Sequence, residues 1–340
     1  MSVKEQVLLL LENNKGEPIS GEDIASRLSC TRASVWKAVK ALQSEGYKVE
    51  AVNNKGYTLT NSPDVLSEAY IRELVCAAGI DIDITARKVV DSTNNVLKLT
   101  AADNINTPSN KKRPVVCISE EQTAGRGRRG RSFYSPKDTG IYISFLLYPD
   151  VPISEAAMYT TIAATAEAKA IENVTGLPVD IKWVNDIWMR GKKVSGILTE
   201  ASSSIEDGSL EYVIVGIGIN LYEPEGGFPD EIKDIAGAVY SENIQVENLR
   251  NNIAAELIIQ FMKYYYEGLN SPTFLEDYKK RCFVIGKDVE LMSPDHNSLN
   301  PDGTNPTVHV LGINNRCHLH VLFNDGHEEY LSGGEISVKL

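Results

Sequence analysis

Histidine is missing from most of this 340-residue chain: all five (His296, His309, His318, His320 and His327) fall in its last 45 residues. Catalysis built earlier in the chain therefore has no imidazole of its own. Unless the tail folds over the site, Ser-His-Asp and Cys-His arrangements and histidine-rich metal sites are excluded there. Cysteine is sparse and scattered: Cys30, Cys76, Cys117, Cys282 and Cys317 form no Cys-x-x-Cys pair, which suits reduced thiols acting as small hydrophobes rather than a disulfide framework. Long apolar runs are lacking too. The longest, Val7 to Leu11 and Ile141 to Tyr148, fall far short of the roughly 18 residues of a membrane helix. The five-residue stretch behind Lys4 and Glu5 is also too short for a secretory signal core. A soluble, cytoplasmic protein is expected, with no membrane partner. What remains is ordinary usage, 42% hydrophobic and 24% charged, in a chain long enough for two or three domains with a core that needs no staples. Collagen-like, disordered and mini-protein readings fail.

Charge divides unevenly. Residues 1–62 carry eight Lys or Arg against seven Asp or Glu, a net +1, so the whole-chain charge of -12 leaves -13 for the remainder. The first segment predicts a helix over Val3 to Leu11, a turn at Asn13 to Gly16, and two short helices capped by Ser20 and Thr31. Ile24, Ala25 and Leu28, then Val35, Val39 and Leu42, keep helical spacing; after Gly46 the alternation of Tyr47, Val49 and Ala51, the Asn53 to Gly56 turn and Tyr57 and Leu59 predict a hairpin, or wing. Asn61 to Asp64 reads as linker and helix start. Helices are then expected at Asp64–Ala78, Ser92–Ala102, Ser154–Val174, Val246–Gly268 and Pro272–Cys282, and strands at Val115–Ser119, Ile141–Tyr148, Val179–Trp183, Val194–Thr199 and Leu210–Ile217. Such mixing implies an α/β or α+β sheet domain. Beyond Phe283 only short strands are expected (Asp288–Met292, Thr307–Leu311, Cys317–Phe323, Glu335–Leu340), which suits a small β-barrel.

Four clusters carry chemistry. Gly125 to Arg131 holds four arginines within six positions and satisfies two glycine-rich phosphate patterns, yet Phe133-Tyr134-Ser135-Pro136 leads into a strand where both patterns need a helix. What survives is a set of guanidinium forks on a close-approaching backbone, each charge-assisted bond contributing about 1.5–3 kcal/mol to carboxylate or phosphate binding. A solvated basic loop or nonspecific nucleic-acid contact is the bland alternative. Lys182-Trp183-Val184-Asn185-Asp186 followed by Arg190 to Leu198 reads by itself as a charged turn between two strands. Gly216 and Gly218 permit close approach near the end of a buried strand, and Asp91-Ser92-Thr93-Asn94-Asn95 is simplest as a helix N-cap.

In order, Asp91 to Asn94, Gln122 to Arg131, Lys182 to Asp186, Lys193 to Leu198, Gly216 to Asn220 and Gly333 to Ser337 resemble the motifs of the biotin protein ligases, and residues 1–62 resemble the winged helix-turn-helix of the bifunctional branch that also represses biotin operons. The resemblance spans nearly the whole chain. It implies a multidomain α+β protein: a winged helix-turn-helix DNA-binding domain at 1–62, a mixed-sheet, class II synthetase-like biotin ligase catalytic domain at 64–283, and a small SH3-like β-barrel at 284–340. The implied activity is ATP-dependent formation of biotinoyl-5'-AMP and transfer of biotin to a lysine of a biotin carboxyl carrier protein, joined to repression of biotin genes as an adenylate-driven homodimer on operator DNA. Two rivals stand beside it: a regulator that senses biotinoyl-AMP with little ligase activity, and a lipoate-type ligase.

Carried over by position, Ser92, Thr93, Asn94 and Gln122 would hold biotin, with Arg126, Gly127 and Arg128 covering it and Lys193 on its carboxylate. Arg131, Phe133, Asn185, Asp186 and Asn220 would take the nucleotide, and Arg128, Lys182, Asp186 and Lys193 the catalytic roles, with Mg2+ added at Asp186. Two departures stand out: Val184 replaces the family's usual Pro and should loosen the turn, and Phe133 replaces Trp over the adenine and should stack less strongly. Arg32, Ser34, Lys37, Lys40 and Lys55 would face DNA. Trp36 could contact DNA or pack, and packing is favoured; Phe261 and Tyr264 to Tyr266 read as helix packing. Cys317, His318, His320 and His327 read as an exposed polar face rather than a zinc site, and Glu335 and Lys339 enter the nucleotide site by resemblance alone.

Overall fold

The computed structural model describes every residue except 54, 105–106, 109–110, 204–208, 242–245, 270–271, 293–303, 335 and 338–340. The chain forms two compact units, Met1–Gly79 with Ile244–Ala255, and Ile80–Asn243 with Glu256–Leu340.

The first unit strings together α1 (Val3–Glu12), α2 (Gly21–Arg27), α3 (Arg32–Ser44), the hairpin strands β1 (Lys48–Val52) and β2 (Gly56–Asn61), and α4 (Glu68–Ala77). Each helix begins on a hydroxyl: Ser2, Ser20, Thr31 and Ser67 accept from the amides of Glu5, Asp23, Ser34 and Tyr70, caps that contribute roughly 1 kcal/mol apiece. Val7, Leu11, Ile24, Val35, Val39, Leu42, Val49 and Leu59 form one core, in which a fully buried aliphatic side chain contributes about 1.5–3 kcal/mol. Trp36 does not pack into it. It is 53% exposed, because one position past Val35 it sits on the outer flank of α3. The helix expected from Asp64 starts only at Glu68. Asp64 instead accepts from the amide of Arg250 at 2.8 Å and lies 3.5 Å from that residue's buried guanidinium, so its carboxylate serves the first turn of α7 (Leu249–Glu267).

The second unit contains β3 (Asp83–Val90), α5 (Thr93–Asp103), β4 (Val115–Gln122), β5 (Gly140–Leu147), α6 (Met158–Thr175), β6 (Asp180–Lys182), β7 (Asp186–Met189), β8 (Lys192–Ser203), β9 (Leu210–Asn220), the rest of α7 and α8 (Pro272–Arg281). A mixed seven-stranded sheet in the order β3-β4-β5-β9-β8-β7-β6 results, parallel only between β3 and β4. The stretch read as one turn between two strands is a pair of tight connections with β7 between them, and the Trp183–Val184 peptide is cis. Alternation gives the sheet two working faces. Phe145 of β5 stacks on Phe261 of α7, ring centroids 4.2 Å apart, while its neighbour Ser144 turns the other way to α5. Thr199 of β8 meets Thr160 of α6 at 2.7 Å on the α7 side.

The chain ends in β10 (Asp288–Leu291), β11 (Thr307–Ile313), β12 (Leu319–Phe323), β13 (Glu328–Leu331) and β14 (Ile336–Ser337), an antiparallel sheet in the order β13-β12-β11-β10-β14. Trp183 Nε1 donates to the Cys317 carbonyl at 3.0 Å, fastening this sheet beside the β6–β7 turn. His309, His320 and His327 each pair with a nearby carboxylate, of Asp288, Glu328 and Asp325.

Candidate active site

Two adjoining cavities open on the α5 face of the seven-stranded sheet. The smaller, about 290 Å3, is bounded by the start of α5, Gln122, Arg126, Phe133 and the glycines of β8 and β9. Ser92 begins the helix without a side-chain cap; Asp91 beside it accepts from the Ser92 amide at 2.6 Å and from the Asn95 side chain at 2.7 Å, and its carboxyl lies below the usual range chiefly because of Asn95. The helix thus delivers Ser92, Thr93 and Asn94 to the hollow's floor. Gln122 Oε1 accepts from the Thr93 amide (2.9 Å) and hydroxyl (3.1 Å), while its amide donates to Ser135 at 3.0 Å. Ser144 Oγ lies 2.7 Å from Thr93 Oγ1 and 2.6 Å from Asn94 Oδ1. Asn94 donates to Glu200 at 2.9 Å. Glycine is required opposite these groups: a Cβ on Gly216 would come within 2.1 Å of Asn94 Oδ1, and one on Gly218 within 2.4 Å of the Phe133 ring.

The larger cavity, about 760 Å3, gathers Arg126, Arg128, Arg129, Arg131, Lys182 and Lys193 around Asp186, the single carboxylate among the described lining residues. The arginine loop is folded on itself: Gly127 N donates to Arg131 O at 2.7 Å, Phe133 N to Gly125 O at 2.9 Å, and Arg129 turns the corner in the left-handed region at φ 55°. From this loop Arg128 donates to Asn185 Oδ1 at 2.9 Å and to the Gly334 carbonyl at 3.2 Å, so the C-terminal sheet contributes a wall. Arg126 pairs with Glu200 at 3.2 Å and Lys98 with the same oxygen at 2.8 Å. Half-burial pushes the Glu200 carboxyl up, but donation from Lys98 and Asn94 and the two cations outweigh it and hold the group below its usual range. Lys193 Nζ lies 2.7 Å from Asp186 Oδ1. Its backbone is pinned by residues 235–237, with Lys193 N donating to Ile235 O and Gly237 N to Lys193 O, each at 2.8 Å.

On the opposite face of the sheet, Glu167 of α6 is wholly buried. Burial pushes its carboxyl up to about 8, and Asp186 adds to the effect, against the nearby Ser195 hydroxyl and the charge of Lys193. In the first unit, Arg32, Lys37 and Lys40 stand exposed along α3 and Lys55 at the hairpin tip, whereas the Ser34 hydroxyl is half-buried, 2.9 Å from Thr31.

Residues 86–220 match the Biotin/lipoate A/B protein ligase family, and residues 3–58 match an HTH domain. The bifunctional ligase/repressor BirA of Bacillus subtilis (strain 168) is 36% identical over 264 residues, which cover 78% of each chain. This chain belongs to the bifunctional biotin ligase/repressor family. The corresponding ligase/repressor of Escherichia coli (strain K12) is 27% identical across 86% of this chain and 87% of its own. Among solved structures, the biotin protein ligase from Aquifex aeolicus in complex with biotin and ATP superposes with a TM-score of 0.57 at 25% identity, covering 75% of this chain and 97% of that one.

Within this biotin ligase fold most of the residues marked by the resemblance converge. Ser92, Thr93, Asn94, Gln122, Arg126 and Phe133 line the smaller cavity, and Arg126, Gly127, Arg128, Arg131, Phe133, Lys182, Asn185, Asp186 and Lys193 the larger. Phe133 is shared by both: its ring lies over Gly218 and edge-on to Tyr142, centroids 6.5 Å apart. Asn220 lines neither cavity. It ends β9 and donates to the Gly237 carbonyl at 3.1 Å, holding the segment that pins Lys193. Glu335 and Lys339 lie outside the described residues. The motifs gave no notice of Glu200 as the clamp on Asn94, Lys98 and Arg126, or of Glu167. A charge in the otherwise small and uncharged run Ile162 to Ala168 was the available signal for Glu167.

Proposed function

We propose that this biotin ligase binds biotin in the smaller cavity and ATP in the larger, joins them to biotinoyl-5'-AMP with release of pyrophosphate, and transfers the acyl group to a lysine of a biotin carboxyl carrier protein. The concentration of six cationic side chains around Asp186, beside a polar hollow, carries the reading. The first step sets an anionic nucleophile against an anionic phosphate. Two unit charges about 4 Å apart at an effective dielectric near 20 repel by roughly 4 kcal/mol, so cations must offset that repulsion before the atoms can meet. No base is needed, because a carboxylate is already a nucleophile at neutral pH. Thr93 and Asn94, held by Gln122, Ser144 and Glu200, offer hydrogen bonds to a ureido ring. Lys193 leaves Asp186 to take the vitamin's carboxylate, Arg128 and Arg131 take phosphate oxygens, and Lys182 and Asn185 flank the nucleotide. Catalysis is alignment and electrostatic stabilisation.

Among the described residues Asp186 is the only carboxylate lining the larger cavity, and one carboxylate with substrate phosphates is a donor set that suits Mg2+. Bound there, Mg2+ would neutralise phosphate charge, while Lys193 is freed toward biotin. The C-terminal strands, through Gly334, suit an SH3-like barrel that borders the nucleotide end. The helix-turn-helix unit, with Arg32, Lys37, Lys40 and Lys55, would bind operator DNA as a homodimer formed on adenylate, since a nearly neutral module binds weakly alone. All of this suits the cytosol. Exchange of labelled pyrophosphate into ATP tests the reading: exchange with biotin and not lipoate is expected, exchange with lipoate selects the lipoate ligase, and no exchange leaves only the sensor.

A further inference from the structure

A single exposed hydrophobic side chain is ordinary on a protein surface, but an indole standing among cations on an outward helix face is a specific combination. Trp36 is such an indole, 53% exposed in the middle of α3. Its surroundings say what it faces. Arg32, Trp36 and Lys40 are spaced by four and form one ridge along the helix, with Lys37 beside it. All are exposed, and α3 contains no acidic residue. The nearest acid is Glu22 at the start of α2, 3.6 Å from Arg32, both side chains more than 70% exposed (73% and 74%). Arg32 and Lys55 of the hairpin tip border the same hollow, so helix and hairpin present positive charge on one side. Sequence-independent phosphate contact needs only those cations. An indole adds what they lack: a rigid apolar edge and one N–H donor.

Resting on the DNA-binding reading above, we infer that Trp36 is a specificity-determining residue that reads a thymine in the major groove, its indole edge against the C5-methyl group. The methyl is the one apolar feature on a major-groove base edge and distinguishes T·A from the other pairs. The occupant is duplex DNA rather than a second protein copy because the apolar ring is framed by cations.

The test uses the full chain with biotin and ATP. The wild type first selects duplexes from a random pool, and each thymine of the selected site is then replaced singly by deoxyuridine, which lacks only the methyl. At one position deoxyuridine weakens wild-type binding severalfold, while Trp36→Ala binds the thymine duplex about 5–50-fold more weakly and shows no further loss with deoxyuridine. Trp36→Phe recovers most of the affinity. Pyrophosphate exchange and thermal midpoint stay at wild-type values in both variants, because the side chain is exposed. Wild-type affinity in Trp36→Ala, or the same deoxyuridine penalty in both proteins, overturns the inference. So does a loss of affinity that sedimentation traces to lost self-association, which assigns Trp36 to a protein partner. If the wild type selects no duplex, the DNA-binding reading itself fails, a different result from a failure at Trp36 alone.

Discussion

The cavity and the α3 ridge both concentrate positive charge, by opposite means. In the cavity three of the six cations are held by named partners: Lys193 by Asp186, Arg126 by Glu200, Arg128 by Asn185 and Gly334. On α3 the cations stand exposed on a helix organised by its Thr31 cap and its buried stripe of Val35, Val39 and Leu42. Oriented charge in a partly dry site is worth far more than the same charge in water, so substitutions in the cavity should cost chemistry and those on the ridge should cost only affinity. The two regions teach that a count of basic residues says little about function until their partners are known.

The largest effect is expected at Lys193. Lys193→Ala should fold normally, with an unchanged thermal midpoint, and lose about 10²–10³-fold or more of biotin-dependent pyrophosphate exchange. Near-normal exchange would erase the contrast between cavity and ridge. Next comes Glu167, the buried charge of the sheet's other face. Its carboxyl is raised in the folded state from 4.5 to about 8, so the folded protein holds a proton that the unfolded chain releases. Stability is therefore full below pH ~4.5 and falls as pH rises toward 8, by at most about 1.4 kcal/mol per unit. Urea unfolding at pH 6 and pH 8.5 should show this loss in the wild type and a flatter profile in Glu167→Gln; identical slopes would remove Glu167 from the account.

A smaller cost attaches to shape. Gly216→Ala pushes a methyl to 2.1 Å from Asn94 Oδ1, so Asn94 must move. We expect a stability loss of about 1–3 kcal/mol and a raised KM for biotin with that for ATP much less changed. Equal rises in both would mean that Asn94 does not belong to the biotin side. Smallest of all is Lys37→Ala on the ridge. Ligase activity should be untouched, DNA affinity should drop severalfold on every sequence alike, and the slope of log K against log salt should shrink by about 1. A sequence-dependent loss would place Lys37 with the base-reading residues instead.

The α helices and the first unit's core were legible because their signals are local: hydroxyl caps at Ser20 and Thr31, and apolar residues at helical spacing. Three strands were not. β3, Asp83–Val90, is an edge strand with only Ile84 fully buried, so its sequence alternates weakly. β13 is an edge as well and opens with Glu328 and Glu329. β7 follows directly on Asn185 and starts with Asp186, residues that signal a turn. The site's motifs could be read because each is contiguous. Their geometry could not, since the Lys193–Asp186 pair depends on the register that sets Asp186 opposite Gly196, and the Arg128–Gly334 bond joins residues 206 apart. Asn220 shares the parity of Gly216 and Gly218 and lies past the cavity's end, where its amide donates to the Gly237 carbonyl.

Asp64 meets Arg250, Glu12 meets Asn248, and Asn251 reaches the carbonyl of Val65. The amino-terminal unit is thus completed by residues made only after the whole large sheet has been translated. On the ribosome the buried guanidinium of Arg250 arrives 186 positions behind its counter-ion. A protein shortened after Gly79 would keep the recognition helix but leave the Asp64 carboxylate without the cation it was folded to meet. Synthesis order therefore makes the regulatory end of this enzyme the first to begin folding, and it can finish only once the catalytic sheet has been made.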